Sequence, residues 1–146
     1  MPNTIVLKGR GHHEERVAAG AISPGMVCEV VLDTTLKVNQ VQVTKAEYLK
    51  TVGLLVAKED ALQGNTVDTA YATGDTVFYY TALPGDHIQL LVKSGENITL
   101  NDKLVVEGGG SGMLVESGGS ETRYQAKALE TTGALGANTL VACVVL

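Results

Sequence analysis

The sequence predicts an all-β fold: a small single-domain barrel or sandwich, tulip- or jelly-roll-like, over residues 17–146, with an extended N-terminal arm over residues 1–16. Two observations carry this. Turn phrases recur just ahead of apolar stretches: Ser23-Pro24-Gly25-Met26-Val27, Thr73-Gly74-Asp75-Thr76-Val77, Pro84-Gly85-Asp86-His87-Ile88 and Leu100-Asn101-Asp102-Lys103-Leu104. Glycine or asparagine supplies the positive φ of a tight turn, and the alternating Val, Ile or Leu that follows suits a half-buried strand. No long apolar stripe with a 3.6-residue period competes with this pattern.

Taken in order, Pro2 to Leu7 reads as a short extended segment, followed by the polar run from Lys8 to Arg16. The glycines at Gly9 and Gly11 and the adjoining charges suit an arm that a partner orders. Val27 to Leu32, Val38 to Val43 and Leu54 to Val56 read as strands, and Thr44 to Leu49 as one helical turn, too short to stand alone. Thr76 to Thr81, Asp86 to Val92 and Asp102 to Glu107 are the clearest strands, spaced for antiparallel meanders. Gly108 to Gly112 and Ser117 to Ser120 read as loops, and Tyr124 to Glu130 and Thr139 to Leu146 close the fold.

With 146 residues the chain is long enough for one core, and 45 % hydrophobic against 18 % charged residues suits a folded body. Eleven basic and sixteen acidic residues leave a net charge of -5, with the basic ones scattered, so the field opposes a phosphate backbone. Direct nucleic-acid binding is therefore not expected. The apolar runs Val52 to Ala57 and Leu140 to Leu146 are too short for a membrane span, and no leader pattern stands at the start, so a cytoplasmic origin is expected.

Candidate chemistry is sparse. His12 and His13 beside Glu14 and Glu15 offer metal-capable atoms, yet neighbours on an extended chain point to opposite sides and lack zinc spacing. Asp75, Asp86 and Asp102 follow turns, where a carboxylate commonly accepts from nearby backbone amides rather than building a cation site. The tract Gly108 to Gly112 lacks the Gly-Lys-Ser or Gly-Lys-Thr of a phosphate cradle. Ser111, Ser117 and Ser120 have no histidine and carboxylate partners in view, and His87 reads as a strand-face residue. Tryptophan is absent, so a sugar platform would rest on Tyr79 and Tyr80, for which core or subunit contact is the commoner role. Cys28 and Cys143 lie in apolar strands and read as small buried hydrophobes rather than as half of a disulfide or a metal site. No catalytic residue, metal or cofactor is assigned.

The opening Leu7-Lys8-Gly9-Arg10-Gly11-His12-His13-Glu14-Glu15, with Ala18-Ala19-Gly20-Ala21-Ile22-Ser23-Pro24-Gly25-Met26-Val27, resembles the start of a group of tailed-bacteriophage virion structural proteins. The stretch from Glu59 to Ala72, the phrases Pro84-Gly85-Asp86, Gly95-Glu96-Asn97-Ile98 and Asn101-Asp102-Lys103-Leu104, and Ala126-Lys127-Ala128-Leu129-Glu130 continue the likeness over most of the chain. Such proteins look like capsid decoration, or cement, proteins. The resemblance implies a homotrimer outside the major capsid protein lattice that bridges and stabilises it, with no cofactor and no enzymatic activity. Fibre and tail components with similar small β-domains, or a ligand- or carbohydrate-binding module, form the alternative. The expected contact with the capsid or a neighbour is the arm: Ile5, Val6 and Leu7 to augment a sheet edge, and Lys8, Arg10 and Arg16 to meet acidic surface, with His12 and His13 among the contacting residues; the alternative is that residues 4–7 form the first strand of the chain's own sheet.

Overall fold

The computed structural model describes residues 3–33, 38–43, 54–107, 111–119 and 124–146. The expected helical turn at Thr44 to Leu49 and most of the glycine tract lie outside them. Thirteen strands are described: β1 (Val6–Lys8), β2 (His12–Ala18), β3 (Val27–Asp33), β4 (Val38–Val43), β5 (Leu54–Ala57), β6 (Thr76–Ala82), β7 (His87–Val92), β8 (Asn97–Ile98), β9 (Lys103–Val106), β10 (Leu114–Glu116), β11 (Ala126–Ala128), β12 (Gly133–Ala134) and β13 (Thr139–Val145). The 3-10 turn Ala61–Gln63 is capped by the Asp60 carboxylate, which accepts from Gln63 N–H.

The fold class is the expected one, but the strands do not follow one another as meanders. β2, β4, β3, β5 and β6 close into a barrel. Six others form a sheet in the order β1-β7-β10-β9-β11-β13, with β8 and β12 as a separate pair, and a further pairing of β13 with β7 brings the far end of the sheet back, so that β7, β10, β9, β11 and β13 also make a closed circuit. Closure covers most of the strand edges that leave an open sheet liable to aggregate.

The two circuits share one topology. In the first, β2 runs parallel to β4, while the β4–β3, β3–β5, β5–β6 and β6–β2 pairs are antiparallel. In the second, β7 runs parallel to β10, while β10–β9, β9–β11, β11–β13 and β13–β7 are antiparallel. Registers agree residue by residue. Cys28 faces Val43 and Leu55, as Leu104 faces Glu116 and Ala126. Ala57 faces Tyr79 as Ala128 faces Cys143, and Tyr80 faces His13 as Val144 faces His87.

The connections repeat as well. The isolated bridge between Ile22 and Tyr71 stands where β8 pairs with β12. Gly25 N–H donates to the Ala57 carbonyl at 2.9 Å and Ala57 N–H to that of Met26 at 3.0 Å; Asn101 and Ala128 N–H donate to the carbonyls of Ala128 and Asp102, both at 2.9 Å. Gly25 and Asn101 both take positive φ, 91° and 75°. The chain is thus two copies of one five-stranded unit, residues 12–82 and 87–145.

Both faces of several strands in the first unit are buried, because alternate residues feed different cores. Val27, Leu54, Val56, Tyr80 and Ala82 join Ile88, Leu90, Leu104, Val141 and their neighbours of the second unit in one large core. Cys28, Ala57, Val77 and Tyr79, one residue out of phase, pack with Ala18, Ile22 and Tyr71 in a smaller one. The shared core joins the two units into a single body.

Candidate interface on the first two strands

The segment expected as a free arm is built into the body from Thr4 onward. β1 pairs antiparallel with β7, and Ile5 is fully buried in the large core. β2 pairs with β6 from His12 opposite Thr81 to Val17 opposite Thr76. The physical reason lies in Ile5: an apolar side chain gains more by filling the core of its own chain than by waiting for a partner.

Polar bonds hold the segment in place. Thr4 Oγ1 donates to Glu59 Oε1 at 2.8 Å and Ile5 N–H to Glu59 Oε2 at 3.0 Å, while Gln89 Nε2 donates to the Thr4 carbonyl at 2.8 Å. Between β1 and β2, Arg10 N–H donates to Asp86 Oδ1 at 3.1 Å and Gly11 N–H to the Tyr80 hydroxyl at 2.6 Å. A Cβ at Gly11 would sit 1.9 Å from the Thr81 carbonyl oxygen, so only glycine fits this approach. Glu59, Tyr80 and Gln89 were not legible as anchors, since nothing in the sequence marks contacts over such separations.

The expected contact residues are therefore divided. Ile5 is core, Val6 is half-buried against it, and Leu7, Lys8, Arg10, His12 and His13 are exposed. Arg16 is half-buried, and its Nε donates to the Tyr79 hydroxyl at 3.0 Å, which itself donates to Glu14 Oε2 at 2.6 Å. His13 stacks obliquely on Tyr80, with ring centroids 4.9 Å apart, and its Nδ1 lies 2.8 Å from Lys58 Nζ. Burial and then the Lys58 ammonium lower the His13 pKa, so the ring stays neutral at pH 7. Burial raises the pKa values of Tyr79 and Tyr80, with the Glu14 and Asp86 carboxylates adding to it. The surface that results is a mixed polar one.

Asp75, Asp86 and Asp102 take up the turn role expected of them. Each accepts through Oδ2 from the backbone N–H of the third residue before it: Ala72 at 2.8 Å, Leu83 at 2.9 Å and Thr99 at 2.7 Å. Burial alone would raise the Asp86 pKa, but the hydrogen bonds from Leu83, Tyr80 and Arg10, with the Gly11 N–H close by, together outweigh it and hold the carboxyl below its ordinary value. Among the described residues no group of three or more His, Cys, Asp or Glu side chains is placed to hold a metal ion. No helix of the described residues is long and apolar enough to cross a membrane. Cys28 and Cys143 are free and buried, one in each core.

No protein-family model matches the chain, and no curated protein does. Among solved structures, the chain is similar to the head fiber gp8.5 N base of bacteriophage phi29, with a TM-score of 0.60 at 12% sequence identity. The likeness covers 94% of this chain and 95% of that one. At this identity it is a likeness of fold, and it spans both five-stranded units.

Proposed function

We propose that the chain is a structural protein of a tailed-phage virion, seated on the outer surface of the head, where it ties neighbouring major capsid protein subunits together. The observation that carries this reading is the likeness of fold, over nearly the whole of both chains, to the base of a phage head fiber. The body suits the task. It is acidic overall, so it does not compete for the genome, and two closed strand circuits on one shared core make a rigid brace. We further propose a homotrimer without enzymatic activity or cofactor, since closed symmetry lets one chain meet several shell subunits at once.

A second reading, in which the chain is the foot of a longer fibre, is favoured by the same likeness, because the similar protein is itself the base of a fiber. Mixing the purified protein with heads of its own phage that lack it, followed by sedimentation and electron microscopy, tests both. Saturable density on the head surface supports the head-bound reading, and a projecting rod in whole virions selects the fibre form. Absence of the protein from heads in both preparations overturns it.

A further inference from the structure

The duplication exposes a difference between the two units. In the second unit the edge of β7 that faces away from β13 is fully bonded: Gln89 N–H donates to the Ile5 carbonyl at 2.8 Å, Leu91 N–H to Gly25 at 3.0 Å, and Lys93 N–H to Leu114 at 3.0 Å. β1 supplies the first of these, with Val6 opposite Ile88 and Lys8 opposite His87. By the shared register, His87, Ile88 and Gln89 correspond to His13, Glu14 and Glu15 of β2. Among the described residues no strand takes the place of β1 there: β4 meets β2 only at Val17 and Ala18, and none pairs with the outer edge from His12 to Arg16. The side chains of His12, His13, Glu14 and Glu15 are all exposed. Ala18 N–H turns inward, donating to the Asp75 carbonyl at 2.8 Å, so strand alternation turns the Glu15 N–H and C=O outward.

We propose that this edge of β2 receives an extended strand from another protein, laid antiparallel as β1 lies on β7, with Lys or Arg opposite Glu14 and Glu15. The inference rests on the head-bound reading for the partner's identity, the shell subunit, but not for the edge itself. A second copy of this chain is the wrong occupant: each chain has two such slots and one β1, and that β1 is committed to its own second unit through buried Ile5. The two adjacent exposed carboxylates, on a chain of net charge -5, select a basic strand. Main-chain bonds then supply affinity and the alternate side chains specificity.

Glu15→Pro deletes the outward N–H and leaves the β2–β6 ladder intact, since proline is tolerated where the N–H faces away from the sheet. Glu15→Lys keeps the N–H and reverses the charge. With heads of the phage lacking this protein, we expect Glu15→Pro to bind at least tenfold more weakly than the native chain, with unchanged circular dichroism, and Glu15→Lys to bind several-fold more weakly. A folded Glu15→Pro that binds within twofold of the native chain overturns the proposal; should that variant misfold, native-like binding by Glu15→Lys does so. A second probe needs no heads: a synthetic eight-residue peptide alternating lysine and valine, titrated into the full chain under amide exchange. Slowed exchange at Glu15 supports the open edge, and unchanged exchange at saturating peptide overturns it even where head binding holds. If the native chain ignores heads while the peptide protects Glu15, the head-bound reading fails and the edge stands.

Discussion

The Tyr80 hydroxyl donates to Asp86 Oδ2 at 2.7 Å while accepting from Gly11 N–H at 2.6 Å, so one buried phenol links the entry of β2, the strand β6 and the turn before β7. That turn joins the two units, which makes Tyr80 and Asp86 the polar seam of the duplicated body. Removing the hydroxyl leaves a backbone N–H and a carboxylate short of a partner. Tyr80→Phe should therefore cost about 1–3 kcal/mol, because the penalty is that of unsatisfied groups rather than of one net bond. Urea unfolding followed by tyrosine fluorescence or circular dichroism reads it; a loss below 0.5 kcal/mol, by the usual scatter of surface changes, argues against the seam.

Acid should loosen the same seam. The pKa of Asp86 in the folded chain lies below its unfolded value, so its contribution is fully present above the unfolded value and is lost as pH falls through the folded one. Asp86→Asn is expected to lower stability at neutral pH and to flatten the fall in stability between pH 5 and the acid limit. Identical acid slopes for the native chain and the variant would assign the pH dependence elsewhere.

Equivalent turns should answer unequally to substitution. Gly25 has φ 91°, and a Cβ there would stand 2.4 Å from Leu140 Cδ2 and 3.1 Å from Leu91 N, whereas Asn101 holds φ 75° with a side chain already in place. Gly25→Ala is expected to destabilise by more than about 1 kcal/mol, and Asn101→Gly to stay within about 0.5 kcal/mol. Thermal melts of the two variants provide the comparison, and equal costs would contradict it.

That pair also shows what the sequence made legible. The phrases around Gly25 and Asn101 were visible as turns before strands, and they occupy matching places in the two units, yet the duplication itself was not readable. Little beyond backbone geometry is kept between the copies: His13 and Ala57 answer to His87 and Ala128, but Gly25 answers to Asn101, Cys28 to Leu104 and Tyr79 to Cys143, which share burial or φ but not chemistry. Meander pairing was the natural expectation from short spacings, because the parallel closures of β2 on β4 and of β7 on β10 leave no local sequence signal. β2 itself was hidden by its charges. A run such as His12 to Arg16 reads as an arm, and it becomes a strand because its inward backbone pairs with β6 while its side chains remain in water.

Both thiols should be silent in the folded chain. Burial pushes the pKa values of Cys28 and Cys143 up to about 12, which leaves almost no thiolate at pH 8. A chromogenic thiol reagent is expected to react negligibly with the native protein and with two equivalents after denaturation. Rapid native reaction of either cysteine would mean that its core opens readily.

Truncation of the amino end separates the anchored segment from a free arm. Deleting residues 1–11 removes Ile5 and the bonds to Glu59 and Asp86, and Ile5→Ala alone is expected to cost about 2–5 kcal/mol as a buried large-to-small change. The deletion should lower the melting temperature markedly, whereas a dispensable arm would leave it unchanged. Loss of head binding by the truncated chain is then ambiguous between unfolding and lost contact. Lys8→Glu with Arg10→Glu resolves it, since both side chains are exposed and their reversal should hold stability within about 0.5 kcal/mol. If the exposed part of this segment meets acidic shell surface, the double variant keeps its melting temperature and loses head affinity; native affinity in that variant confines the segment to a structural role.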